Sequence, residues 1–106
     1  MDSEFKKVLE QKIIQAIRTV YDPEIPVNIY DMGLIYNIHI NDDERVSIDM
    51  TLTAPGCPVA GSLPYDVECA VKEVPGVSQV SAQIVWDPPW HMDMMSDAAK
   101  LQLGLL

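Results

Sequence analysis

The chain has 106 residues, 48% of them hydrophobic, and carries 16 acidic against 7 basic side chains for a formal net charge of −9. That length suits one compact domain, which buries roughly 65% of its unfolded surface and needs no staples to fold. The charge argues against nucleic acid or an anionic membrane as the main partner, since both would repel it, and favours a basic protein or a cation.

From Asp2 to about Tyr21, Phe5, Val8, Leu9, Ile13, Ala16, Ile17 and Val20 recur at helical spacing. Asp2 or Ser3 can cap the start, and Tyr-Asp-Pro ends the run, because the residue before a proline avoids the helical region. The start MDSEFKKVLE lacks the long apolar segment of a secretory signal. No apolar run approaches the ~20 residues that would span a membrane. The connector DPEIPVNIYDMG follows. Leu34, Tyr36, Ile38 and Ile40 then alternate with Asn37 and His39, and after the turn NDDE, Val46, Ile48, Met50 and Leu52 alternate with Ser47, Asp49 and Thr51. Two strands joined by a short polar turn read as a hairpin.

Val59, Ala60, Leu63, Val67, Ala70, Val71 and Val74 return to helical spacing, with Pro64 inside the run. Either the helix kinks there, or a first turn at Pro58 to Gly61 precedes a main helix capped by Ser62. After VPGV, Val80, Ala82, Ile84 and Trp86 alternate with polar residues in a third strand, which places Trp86 in the core; Pro88 and Pro89 end it. The tail DMMSDAAKLQLGLL holds a capping Ser or Asp ahead of a short helix. The expected architecture is an α/β (α+β) two-layer sandwich, α-β-β-α-β, with a three-stranded mixed sheet. Helices cover one sheet face and the other stays wet; the second and third strands run parallel across the intervening helix. Residues 1–106 form one domain, with 88–106 as a C-terminal tail packing on it.

Chemistry centres on TLTAPGCPVAG, residues 51–61. Cys57 stands between Gly56 and Pro58 at a strand-to-helix joint. Proline suits the first helical position, which makes Cys57 an N-cap candidate facing free N–H groups and the positive end of the helix dipole, both of which favour thiolate. A start at Ser62 would weaken that argument. The plainer reading of Cys57 is a small buried hydrophobe. Cys69 lies opposite the apolar stripe of its helix beside Glu68, as a solvated or edge residue. Two cysteines make no disulfide scaffold and no self-sufficient iron–sulfur or zinc site, and they fit a reducing, cytoplasmic setting. Asp22, Glu24 and Asp31 gather in the connector, where carboxylates bind a cation or, the better reading by sequence, cap turns. His39 and His91 are ligand or base candidates that are more often merely solvated. No motif places Cys57, His39 and Asp49 together as a nucleophile relay. Trp90, Met92, Met94 and Met95 give the tail an apolar face, read as clamping on the body rather than as a docking surface.

YDPEIPVNIYDMGLIYNI, MTLTAPGCPVAG, VPGVSQVSAQIVWDPPW and DMMSDAAKLQLG, in this order, resemble the small iron–sulfur cluster maturation proteins of the SufT and PaaD type, whose eukaryotic relative works in the cytosolic iron–sulfur targeting complex. The resemblance covers the chain from Val20 onward. It implies that Cys57 is the motif cysteine that binds or transfers a labile cluster or iron, with Asp22, Glu24, Asp31 and Thr53 supporting the pocket. Cys69 has no counterpart. Where relatives often read Thr-Pro after Pro-Pro-Trp, this chain has His91-Met92, which makes His91 an additional ligand candidate.

The leading expectation is therefore a non-enzymatic maturation factor with no permanent cofactor, only a transient cluster or iron. Its partners would be client apoproteins and iron–sulfur assembly proteins, with a homodimer compatible with pairing two Cys57 thiols. The alternative is a metal-free adaptor bridging clients to the assembly machinery, including a PaaD-like role for one oxygenase. A thiol-dependent enzyme ranks third, since no nucleophile elbow, C-x-x-C pair or phosphate loop is present.

Overall fold

The computed structural model describes residues 3–21, 26–53 and 63–104. Helix α1 (Ser3–Ile17) is followed by strands β1 (Ile35–Ile40) and β2 (Arg45–Met50), helix α2 (Leu63–Lys72) and strand β3 (Gln79–Ile84); a 3₁₀ turn (Met92–Met94) and helix α3 (Asp97–Gln102) complete the order. The sheet runs β1-β2-β3, antiparallel between β1 and β2 and parallel between β2 and β3. That is the expected mixed sheet, and α2 is the crossover that makes the second pair parallel.

Alternation sorts the sheet faces as expected. Val46, Ile48 and Met50 of β2 are buried under the helices, while Asn37, His39, Gln79, Ser81 and Gln83 stay exposed on the other face. The buried side chains form a cluster to which α1 contributes Leu9, Ile13 and Ile17, and α2 contributes Leu63, Val67 and Val71. Phe5 and Val8, on the same helical stripe by spacing, are 45% and 56% exposed, so the packed stripe of α1 begins at Leu9. The helix ends at Ile17 rather than near Tyr21. Thr19 turns its hydroxyl and amide back to the Ala16 carbonyl, at 2.6 and 3.1 Å, and so tightens the last turn. Among the described residues, no helix is long and apolar enough to cross a membrane.

The described part of α2 begins at Leu63, as in the alternative that starts the main helix after Ser62. Pro64 then falls in its first turn, where a missing N–H costs no helical bond. Trp86 corrects an expectation: it is 45% exposed rather than core. Strand pairing stops at Met50↔Ile84, with one further bond from the Val85 amide to the Met50 carbonyl, so Trp86 lies beyond the last residue the ladder holds in place.

One irregularity shapes the site end of the sheet. Ile35 pairs with Met50 but Asn37 with Asp49, so Tyr36 is an extra residue in β1, a bulge. Freed from the ladder, its hydroxyl donates to the Pro88 carbonyl at 2.8 Å and approaches the Met94 sulfur at 3.5 Å. The tail is held along the connector by three further bonds. Trp90 Nε1 donates to the Met32 carbonyl (2.8 Å), the Ser96 amide to the Asp31 carbonyl (2.8 Å), and Gln102 Nε2 to the Pro26 carbonyl (2.6 Å). Met95 and Ala99 are buried in the core cluster, so clamping, not an open docking face, is what these tail residues do; Met92 remains exposed.

Candidate functional site

In the chain, the segment that carries Cys57 lies between two anchored ends, Leu52 and Leu63. At its root the polar-apolar alternation of β2 breaks down: Met50, Thr51 and Leu52 are all buried, because the Thr51 amide donates 2.8 Å to the Leu34 carbonyl and draws the chain inward. Thr53 is exposed just beyond. At the far end Leu63, 1% exposed, fixes the start of α2. Cys57 lies outside the described residues, as do Asp22 and Glu24. The N-cap geometry expected for Cys57 falls there too, and the helix described after it begins six residues on, at Leu63.

Thr51 is the residue that sequence reading missed. Spacing assigns it to the wet edge with Ser47 and Asp49, yet it is fully buried, and its hydroxyl has no hydrogen-bond partner among the described residues. A buried hydroxyl left unsatisfied is costly. No local pattern announces this, because Thr51 is drawn inward by a carbonyl seventeen positions earlier in the chain.

Asp31 is placed by the connector's own turn chemistry. Its amide donates to Asn28 Oδ1 at 2.9 Å, and its carboxylate accepts from Asn28 Nδ2 at 2.8 Å, a reciprocal turn of the kind Asn and Asp favour. Arg18 Nη2 lies 3.9 Å from the other carboxylate oxygen, while the guanidinium stacks 5.0 Å from the Tyr30 ring centroid. The turn-capping role that sequence favoured for the connector acids is thus what Asp31 performs. Its backbone carbonyl also takes the Ser96 bond, so one residue ties together α1, the connector and the tail.

The remaining candidates spread out. His91 is exposed at the N-cap of the 3₁₀ turn, and its side chain makes no capping hydrogen bond there. His39 pairs with Ser47 on the open sheet face, whereas Asp49 pairs with Asn37 one row away and accepts from Gln83 Nε2 at 2.5 Å, so β2 does not bring the imagined His39–Asp49 relay into contact. Cys69 is exposed on α2, as expected. A hydrogen bond to Cys69 and the charge of its sulfur push the Tyr65 phenol above its ordinary value of 10.0. The neighbouring Glu68 carboxylate accepts the Ala82 amide of β3 at 2.8 Å and so covers part of the sheet's free edge. Among the described residues no group of three or more His, Cys, Asp or Glu side chains is placed to hold a metal ion.

Residues 10–84 match the family described as iron–sulfur cluster assembly protein. The chain is 49% identical over its whole length to the Fe-S protein maturation auxiliary factor of Porphyromonas gingivalis, all of which is covered. It is 40% identical to the Fe-S protein maturation auxiliary factor SufT of Staphylococcus aureus over 86 residues, which cover 81% of this chain and 98% of that protein. Among solved structures, a domain of unknown function from Bacillus anthracis superposes with a TM-score of 0.91 at 34% identity, covering 99% of this chain and all of that one.

Proposed function

This chain belongs to the iron–sulfur cluster assembly protein family, and from that membership we propose that it holds a cluster, or iron on its way to one, at the Cys57 thiolate and passes it to client apoproteins. The observation that carries the proposal is the family match over residues 10–84, which includes the segment Ala-Pro-Gly-Cys-Pro. What supports it physically is the frame: Leu52 and Leu63, both in the core, secure the two ends of the segment.

Iron–sulfur clusters are commonly held by four thiolates, and Cys57 supplies one per chain. The missing ligands come from a second copy, a small thiol or the client itself. A cluster held by so few protein ligands leaves readily, which is what handover to a client demands. In this reading Asp22, Glu24, Asp31 and Thr53 shape the pocket around the sulfur, and His91 is a further ligand candidate. Partners are client apoproteins and assembly proteins, and the cluster is cargo rather than a resident group. Reconstitution with iron and sulfide under anaerobic conditions gives a visible absorption band that Cys57→Ser abolishes and Cys69→Ser retains. Equal bands in both variants remove Cys57 from the role.

A second reading, a metal-free adaptor between clients and the assembly machinery, is favoured by the polar sheet face, on which His39, Ser47 and Ser81 stand in one row. Affinity capture with Cys57→Ala separates the two. Unchanged partners together with a wild-type protein that takes up no iron support the adaptor.

A further inference from the structure

At the end of the sheet remote from Thr51 lies a cavity of about 650 Å³, within the roughly 300–1,000 Å³ typical of small-ligand sites. Arg45 and Ser47 of β2, His39 of β1, Ser81 of β3, and Glu68 and Lys72 of α2 line it. Strand register sets His39, Ser47 and Ser81 side by side in one row, with Arg45 beside Gln79 two residues earlier. Three further residues of β2, about 10 Å of strand, follow Ser47 before the chain leaves toward the Cys57 segment.

The charge here is opposite to that of the chain as a whole. Acids outnumber bases 16 to 7 overall, yet the wall offers Arg45 and Lys72 against the single carboxylate of Glu68. That carboxylate is already engaged by the Ala82 amide. Lys6, Arg18 and Lys100 spend their charge in ion pairs with Asp42, Asp31 and Asp93, whereas among the described residues Arg45 and Lys72 pair with no carboxylate. Lys72 donates one N–H to the Ser78 carbonyl at 2.7 Å, which leaves two of its three donors free. Asp43 and Glu44 precede Arg45 in the hairpin turn but do not line the cavity.

We propose that this cavity binds a small oxyanion, carboxylate or phosphate, with Arg45 and Lys72 supplying the charge and the Ser47 and Ser81 hydroxyls the directional hydrogen bonds. Two cations and paired hydroxyls are what such a group needs, since charge-assisted bonds to an oxyanion are the strong ones. The site is independent of the Cys57 reading, and its test uses no cluster.

Titration of the full chain by ¹H–¹⁵N NMR at neutral pH, with inorganic phosphate in one arm, citrate in another and sodium chloride at matched ionic strength as control, tests it. Saturable shifts confined to His39, Ser47, Cys69, Ser81 and their neighbours, half-complete at about 1 mM or below, are expected, and the tighter arm identifies the ligand class. Replacing both cations (Arg45→Gln with Lys72→Gln) weakens binding about tenfold or more. Cys69 also lines the cavity, so the same anion slows its alkylation in the unaltered protein, read peptide by peptide by mass spectrometry. Shifts that rise linearly without saturation, that chloride reproduces, or that persist undiminished in the double variant overturn the proposal, as does Cys69 alkylation at an unchanged rate.

Discussion

Gly33→Ala tests how the tail is fixed to the body. Gly33 has φ +81, and a Cβ built there would lie 2.3 Å from the Met94 carbonyl oxygen, 2.8 Å from its carbon and 3.0 Å from its Cβ. An alanine forced into that left-handed conformation costs about 1–2 kcal/mol by itself. The clash adds to this, because two of the three atoms are backbone and cannot rotate away, so the tail must lift. Lifting it breaks the Trp90–Met32 and Ser96–Asp31 hydrogen bonds, each worth about 1 kcal/mol net. The sum is about 3–4 kcal/mol, a large part of the stability of a domain this size, and lowers Tm by about 15 °C or more. Gly104→Ala is the control. Its φ of +78 is nearly the same but nothing lies within 4 Å, so only the conformational cost applies, about 1–2 kcal/mol at most. Thermal and urea unfolding of both variants, followed by far-UV circular dichroism, give the comparison. Equal losses in the two variants, or a loss below about 1.5 kcal/mol at Gly33, would refute the argument that close approach of the Met94 backbone requires glycine there.

Ser96→Ala removes the acceptor that caps α3 through the Ala99 amide at 3.1 Å; a loss of about 1 kcal/mol and faster hydrogen exchange in residues 97–102 are expected. Glu68→Ala frees the Ala82 amide on the outer edge of β3, and sedimentation should show more self-association than wild type while Tm falls by a few degrees, roughly 1 kcal/mol. The Lys6 hydrogen bond, and then its charge, hold the exposed Asp42 carboxyl below its ordinary 3.8. A carboxyl depressed on folding contributes stability above its unfolded pKa and loses it as pH falls through the folded one. The stability gap between wild type and Lys6→Ala should therefore close on acidification below about pH 4, and Asp42 in the variant should titrate nearer 3.8 by NMR.

Much of the fold was legible because its periods are clean. Val46, Ile48 and Met50 against Ser47 and Asp49 marked β2 and its buried face, and an intervening helix made β3 parallel without any appeal to tertiary detail. Spacing likewise sets Cys69 apart from the apolar stripe of α2, and it is exposed there. Periodicity failed where strand pairing stops. Trp86 continued the pattern of β3 but had no ladder to hold it inward, and Thr51 broke the pattern of β2 because the Leu34 carbonyl, just ahead of β1, bonds its amide. The candidate site was legible in part: a turn role was the better sequence reading of Asp31, and Asp31 closes a turn with Asn28, with Arg18 arriving from the end of α1 thirteen residues earlier.

By itself, then, the order of residues determined the element sequence, the face each element buries and the family to which the chain belongs, since these depend on local spacing and on short motifs. Folding in three dimensions decided the rest. The Tyr36 bulge, the closeness of Gly33 to Met94, the Thr51 amide bond to the Leu34 carbonyl and the presence of Arg45 and Lys72 at one cavity each join residues far apart in the chain. Such contacts arise from how layers pack, and packing is set by the whole set of buried side chains rather than by the spacing of neighbours.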